Sequence, residues 1–407
     1  MEKFALIGKT LKHSYSKKIH PLLGKYDYDM IELAPESVKD FVLNNKYKGY
    51  NITIPYKKDV IPFLDEIDER AKKIGAVNTV VNRDGKKIGF NTDFDGMIYM
   101  LSRAGITVKD KNVLILGSGG TSNTARAVCE HLNAKSIKIL SRSGEVNYDN
   151  YKETAKDSQV IINTTPVGMF PENYDCKIEL SAFKNLSGVA DAVYNPKLTM
   201  LLYQAKTLGV PYSNGFPMLV AQAKFAKEHF FNQKVDDGII DKIVKTLSSE
   251  IENVVLIGMP GCGKSTVGKM LADKLDLEFI DTDQEIVKKD GRDIPKIFSE
   301  SGEEYFRSLE KQVLREVGKL SGKVISTGGG VVKDEENYFP LKQNGVIFWI
   351  DREISCLASS GRPLSSDRAA IEKLYEERKD LYSRFADFKI DNNGELDKTV
   401  KGVMENL

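Results

Sequence analysis

Cysteine is scarce in this sequence, and net charge is almost absent. The four cysteines, Cys129, Cys176, Cys262 and Cys356, are scattered without metal-ligand or disulfide-framework spacing. Reduced thiols and a cytoplasmic location are therefore the expectation. Lys and Arg number 59 against 58 Asp and Glu, a net charge of +1 with signs mixed along the chain. That balance gives no footprint for nucleic acid or for an anionic membrane surface. No apolar run approaches the roughly 18 residues of a membrane-spanning helix. The first apolar run, Phe4 to Gly8, is short and is followed by Lys9 and Lys12, so no signal peptide is expected. No internal repeat is present. Small molecules are the expected partners. At 407 residues the chain should hold two or more domains of about 100–200 residues each.

Asn253-Val-Val-Leu-Ile-Gly258 reads as an apolar strand, followed by a glycine-rich turn and a helix start at Lys264. The turn carries Gly258-x-x-x-x-Gly263-Lys264-Ser265, the full phosphate-loop pattern. Backbone N–H groups of Gly261, Cys262, Gly263 and Lys264, with Ser265 and Thr266 opening the helix, would cradle nucleotide phosphates. Lys264 would hold the β- and γ-phosphates, and the Ser265 hydroxyl a Mg²⁺ ion. A new domain should thus begin at residue 253, after a short linker at 248–252.

Downstream, Asp281 and Asp283 read as leaving a strand end two residues apart and pointing the same way. Asp281 would order the metal and Asp283 would take a substrate hydroxyl proton. Arg307 and Glu310 share a helix face. Val324 to Gly330 reads as a strand ending in three glycines, without the acidic residue of a generic ATPase. Gly361-Arg362-Pro-Leu364 reads as a lid bringing Arg362 to the ATP phosphates, where charge develops during transfer. In this order the features resemble the shikimate kinase family from residue 253 to about 400. The resemblance implies that Asp283, Arg307, the backbone of Gly329 and Arg378 bind shikimate. The family's frequent basic residue seven positions before the lid arginine is Ser355 here.

The first 110 residues alternate short strands with helices, the pattern of an α/β layer fold. Singly, Ser14 and Ser16 read as loop or capping residues, Lys57 as a surface lysine, and Asp93 as an N-cap for a helix from Gly96. Residues 112–117 then form a buried-looking strand running into Gly117-Ser118-Gly119-Gly120-Thr121, a variant of the dinucleotide-binding turn. The next strand, Ser136–Leu140, ends in Ser141-Arg142-Ser143 rather than an acidic residue. An arginine flanked by hydroxyls suits a ribose 2′-phosphate, so NADP is the expected cofactor.

Four segments occur in order: Gly8-x-x-x-x-His13-Ser14-x-Ser16, Asn51-x-Thr53-x-Pro55-x-Lys57, Gly75-Ala-Val-Asn78-Thr79 and Gly89-x-Asn91-Thr92-Asp93-x-x-Gly96. Together they resemble the shikimate dehydrogenase family over residues 1 to about 235, with Lys17 where that family often has proline. The resemblance implies that Ser14, Ser16, Thr53, Asn78 and Asp93 bind the substrate's hydroxyls and carboxylate. It makes Lys57 and Asp93 the catalytic pair, a proton donor for a ketone oxygen as hydride reaches the carbon. Tyr194 and Gln222 would touch substrate, and Ala192 and Gly215 would lie by the nicotinamide.

The expected architecture is α/β throughout. Residues 1–110 and 215–247 would form a substrate domain, 111–214 a Rossmann-like NADP domain, and 253–407 a P-loop kinase with a parallel sheet. The expected activity is reduction of 3-dehydroshikimate to shikimate, then phosphorylation of shikimate by ATP. Two alternatives stand beside it. One is an NAD-dependent quinate/shikimate dehydrogenase working oxidatively, which Arg142 opposes. The other is a half retained only for ligand binding, which Lys57, Asp93, Lys264 and Asp283 together oppose.

Overall fold

Short apolar, β-branched runs ending in glycine or a polar residue become the strands of three sheets. The computed structural model describes residues 2–12, 14–357 and 368–407, so His13 and the lid segment with Gly361, Arg362 and Leu364 lie outside the described residues. The chain divides into two units, Met1–Leu247 and Ser248–Leu407.

The first unit holds two sheets. One comprises β1 (Lys3–Gly8), β2 (Asp27–Glu32), β3 (Gly49–Ile52), β4 (Glu66–Ile67), β5 (Thr79–Arg83) and β6 (Lys86–Phe90), in the order β2-β1-β3-β5-β6-β4. β1 pairs in parallel with β2 and β3, whereas β5 runs antiparallel to both β3 and β6. The β5–β6 hairpin turns at Asp84-Gly85, both at positive φ, as a two-residue hairpin turn of this composition requires. The other sheet is parallel: β7 (Asn112–Leu116), β8 (Ser136–Leu140), β9 (Val160–Asn163), β10 (Gly188–Asp191) and β11 (Tyr212–Ser213), ordered β11-β10-β9-β7-β8. Its central strands are buried on both faces, which explains their unbroken apolar sequence.

The helix Phe216–Phe231 returns to the first sheet. Phe230 stacks on Phe4 with centroids 4.6 Å apart, and Arg83 donates to the His229 carbonyl at 3.1 Å. Gly96 lets this helix close on the helix Thr92–Arg103, since a Cβ there would sit 2.8 Å from the Met218 oxygen. The next helix runs Gly238–Ile251, beyond the expected end at Leu247, so most of the expected 248–252 linker is helical. Asp93 is not an N-cap of a helix starting at Gly96. The helix begins at Thr92, and Asp93 lies in its first turn.

The second unit has one parallel sheet: β12 (Asn253–Ile257), β13 (Glu278–Asp281), β14 (Lys323–Ser326), β15 (Gly345–Asp351) and β16 (Phe388–Asp391), ordered β13-β14-β12-β15-β16. β12 is central and wholly buried, so its C-terminal end delivers the phosphate loop to the middle of the sheet.

Two buried polar groups of the first unit carry stability. Lys224, 2% exposed, lies 2.6 Å from Glu228 Oε1 and 2.6 Å from Asp237 Oδ1. Asp191 is fully buried at the end of β10. It accepts from Asn163 Nδ2 at 2.8 Å, the Val193 N–H at 2.9 Å and the Thr199 hydroxyl at 2.7 Å. Burial raises its pKa to about 7, against the pull of those donors.

Lys224→Ala should take the buried cation from Glu228, leaving it the exposed Lys234 at 3.0 Å and the Val235 N–H at 2.8 Å, and cost about 3 kcal/mol, the low end for breaking a buried pair. Circular dichroism should show an earlier urea transition for the first unit. Fluorescence of Trp349, the single tryptophan and a residue of the second unit, should not move with it. For Asp191 the folded pKa lies above the unfolded value of about 3.9. Its contribution is complete below the unfolded value and is lost as pH rises through about 7. Urea titrations between pH 4 and 8 should show that decline, and Asp191→Asn should flatten it.

Candidate functional sites

In the first unit the antiparallel pairing of β3 and β5 places the end of one beside the start of the other. Thr53 follows β3, Asn78 precedes β5, and Gly8 ends β1, so three separated motifs meet at one sheet edge. The Thr53 N–H donates to the Ile7 carbonyl at 3.0 Å, and its methyl would be 2.6 Å from a Cβ on Gly8. Asn78 is 2% exposed, and its Oδ1 accepts from the Thr92 N–H at 2.8 Å, tying the helix Thr92–Arg103 to this edge. Lys57 Nζ lies 2.6 Å from Asp93 Oδ2, with both side chains partly exposed. The expected catalytic pair is thus in contact and open to a ligand.

Ser14 and Ser16 frame the start of the helix Ser16–Leu23, and Ser14 Oγ accepts from the Ser16 N–H at 3.3 Å. Between them Tyr15 meets Tyr194 edge-to-face at 5.6 Å, and both rings pack around Phe216. This aromatic group brings the loop after β10 against the serine loop. Burial, then the neighbouring Tyr15, raises the Tyr194 pKa and keeps its hydroxyl neutral. Gln222 lies against Gly96 of the helix that carries Asp93, and its Nε2 donates to the Leu219 carbonyl at 2.9 Å.

The dinucleotide turn has the geometry its sequence anticipates. Gly117 sits at φ +104, and its N–H donates to the Leu140 carbonyl at 2.8 Å. Ser118, Gly119, Gly120 and Thr121 are exposed at the start of the helix Gly120–His131, and a Cβ on either glycine would meet open space. Ser122 is buried against the sheet, with no partner for its hydroxyl. At the end of β8, Arg142 and Ser143 are exposed, while Ser141 folds over Gly144. An open N-terminal turn beside an exposed arginine fits a pyrophosphate and a 2′-phosphate. Ala192 and Gly215 touch through their backbones, since a Cβ on Gly215 would fall 2.1 Å from the Ala192 oxygen.

In the second unit the phosphate loop closes through Gly258, Gly261 and Gly263, all at positive φ. Lys264 Nζ donates to the carbonyls of Gly258 and Met259 at 2.9 and 3.0 Å, across the loop it serves. Thr266 follows Ser265 in the first turn of the helix Lys264–Leu275. Ser265 Oγ donates to Asp281 Oδ2 at 2.8 Å. A hydroxyl and a carboxylate this close offer hard oxygen donors to Mg²⁺, whose other ligands would come from phosphate and water.

Asp281 ends β13 and caps the next helix by accepting from the Asp283 N–H at 3.0 Å. Asp283 is therefore a helix residue, and strand alternation does not explain its direction. Both carboxylates nevertheless line one cavity of about 280 Å³ with Lys264, Arg307 and Arg378.

Arg307 Nη1 donates to Glu310 Oε2 at 2.8 Å, and Nη2 to Glu303 at 3.1 Å. Glu310 is 1% exposed, and burial raises its pKa against the opposing pull of Arg307. Arg378 is 4% exposed, with Nη1 3.0 Å from the Gly329 oxygen and Nε without a partner among the described residues. Tyr382, one helical turn on, donates to the same oxygen at 2.5 Å. Gly329 has no space for a side chain, because a Cβ would sit 2.6 Å from Pro260 of the phosphate loop. The sequence reading missed that Glu310 lines the cavity and that Tyr382 holds the carbonyl of Gly329, which lines it too. Their i+3 and i+4 spacing from the two arginines was the available signal.

Comparison with known proteins agrees with this geometry. Residues 6–80 match the shikimate dehydrogenase substrate binding domain, and residues 260–407 match shikimate kinase. A shikimate dehydrogenase (NADP(+)) from Clostridium beijerinckii is 35% identical over 274 residues, covering 62% of this chain and 99% of that protein. The crystal structure of a chorismate mutase/shikimate 5-dehydrogenase fusion protein from Clostridium acetobutylicum matches with TM-score 0.57 and 34% identity, over 61% of this chain and 97% of that one. A quinate dehydrogenase from Corynebacterium glutamicum in complex with NAD matches with TM-score 0.56 and 25% identity, over 61% of this chain and 99% of that one. With the Lys57–Asp93 pair on one unit and the phosphate loop on the other, the chain belongs to the shikimate dehydrogenase family and carries a shikimate kinase domain behind it.

Proposed function

We propose that this chain reduces 3-dehydroshikimate to shikimate with NADPH in its first unit and phosphorylates the shikimate 3-hydroxyl with ATP and Mg²⁺ in its second. The single observation that carries the first half is the 2.6 Å contact between Lys57 and Asp93, on the strand edge to which β3 and β5 bring Thr53 and Asn78. When bound, NADPH supplies the hydride. Lys57 holds a proton for the ketone oxygen, and Asp93 orients the ammonium and takes a substrate hydroxyl. Ser14 and Ser16 hold the carboxylate at a helix N-terminus, with Thr53, Asn78, Tyr194 and Gln222 around the ring. Ser118 to Thr121, Ser141, Arg142 and Ser143 hold the pyrophosphate and the 2′-phosphate, and Ala192 and Gly215 flank the nicotinamide.

In the second unit, Arg307 and Arg378 receive the shikimate carboxylate with the Gly329 backbone, and Asp283 accepts the attacking hydroxyl's proton. Residues 261–266 hold the phosphates, while Ser265 and Asp281 hold Mg²⁺. Arg362 neutralises the transferred group. Arg378 Nε, in the cavity wall and without a partner among the described residues, supports a ligand oxygen as its acceptor.

A second reading, oxidation of quinate or shikimate with NAD, draws on the NAD-bound quinate dehydrogenase among the structural matches. Exposed Arg142 at the end of β8 favours NADP instead.

Incubation with 3-dehydroshikimate, NADPH, ATP and Mg²⁺ should give shikimate 3-phosphate by mass spectrometry. Failure to form shikimate from folded protein would sink the reductive assignment. Lys57→Ala should cut reduction by about 10²–10⁴-fold and leave phosphorylation of added shikimate intact. Asp283→Asn should do the reverse by a similar factor, with ATP binding retained. Loss of both activities from one substitution in a folded protein would contradict independent sites.

A further inference from the structure

A chain of buried hydroxyls and amides runs beneath the dehydrogenase site without touching Lys57 or Asp93. Asn51, 4% exposed, donates from Nδ2 to the Asn78 carbonyl at 3.3 Å and to Thr79 Oγ1 at 2.9 Å. A main-chain carbonyl only accepts, so this end of the amide is the NH₂ and Oδ1 faces the other way. Oδ1 lies 2.8 Å from the Tyr28 hydroxyl, which must therefore be the donor. With its proton committed there, that hydroxyl holds the Asn51 amide in this orientation. Further along, Thr79 Oγ1 gives its proton to Asn78 Oδ1 at 3.1 Å, which also accepts the Thr92 N–H at 2.8 Å. Donor direction thus runs in one sense from Tyr28 through Asn51 and Thr79 to Asn78. The chain ends at the first turn of the helix Thr92–Arg103.

Tyr28 is the link no motif marks. It lies on β2, and the buried His20 ring stacks on it at 3.5 Å. That stacking holds the phenol ring in place independently of its hydroxyl.

We propose that Tyr28 is a positioning residue for substrate binding by the dehydrogenase, setting the orientation of Asn78 through Asn51 and Thr79. This rests on the assignment of Asn78 as a substrate contact made above. Tyr28 touches no reacting atom, so its loss acts on binding rather than on proton transfer. Removing its hydroxyl leaves Asn51 Oδ1 buried without a donor and frees the amide that orients Thr79 and Asn78.

Tyr28→Phe keeps the ring and removes one oxygen. It should raise KM for 3-dehydroshikimate about tenfold while kcat and its pH profile stay unchanged. Thr79→Val breaks the same chain at another link and should do the same. In the double variant the KM increase should match the larger single effect rather than the product of the two, because both cut one chain. NADPH affinity and the kinase activity of the same chain serve as controls for folding. Unchanged KM in Tyr28→Phe, a loss confined to kcat, or multiplicative effects in the double variant would each overturn the proposal. A wild-type protein that does not reduce 3-dehydroshikimate would instead sink the underlying assignment, so the two failures are distinguishable.

Discussion

The antiparallel pairing of β3 with β5 is the constraint on which the dehydrogenase site depends. In a purely parallel sheet the start of β5 would lie at the far edge from the end of β3. Reversing β5 brings Asn78 and Thr79 level with Asn51, and the hairpin to β6 then returns the chain to the same edge at Asn91 and Thr92. Motifs spread from residue 8 to residue 96 converge because one strand turns round. Their side chains are short and polar, so they reach a ligand only if the backbone places them there.

The kinase site obeys a different constraint, the absence of side chains. Gly258 closes against the Ile350 oxygen at 2.4 Å from its missing Cβ, and Gly329 against Pro260 at 2.6 Å. At Gly258, Gly261 and Gly263 the positive φ values suit glycine and let the loop fold back on itself. Charged groups then fill the resulting cavity from three directions: Lys264 from the loop, Asp281 and Asp283 from the next helix start, and Arg307 and Arg378 from later helices.

Much of this was legible in the sequence, for reasons that differ by element. The buried parallel strands read directly, since continuous apolar runs ending in glycine leave few alternatives, and Asn112–Leu116 and Asn253–Ile257 fall where expected. β6 was hidden because its two lysines disguise a strand as a turn. The Asp281–Asp283 pair was placed in the right cavity for the wrong reason, because an N-cap looks like strand alternation over two residues. Glu310 and Tyr382 escaped because their importance comes from burial beside an arginine, which local sequence does not report. Tyr28 escaped for a related reason, since its partner Asn51 belongs to a distant motif.

The Gly329 carbonyl, held by both Arg378 and Tyr382, belongs to a residue pressed against Pro260 of the phosphate loop. On the proposed assignment this peptide is shared between the wall that would meet the shikimate carboxylate and the loop that would meet the phosphates. A shared element of this kind would link the two ligands thermodynamically. Whatever factor ordering of this peptide by one ligand adds to the affinity of the other, the second must return to the first in equal measure.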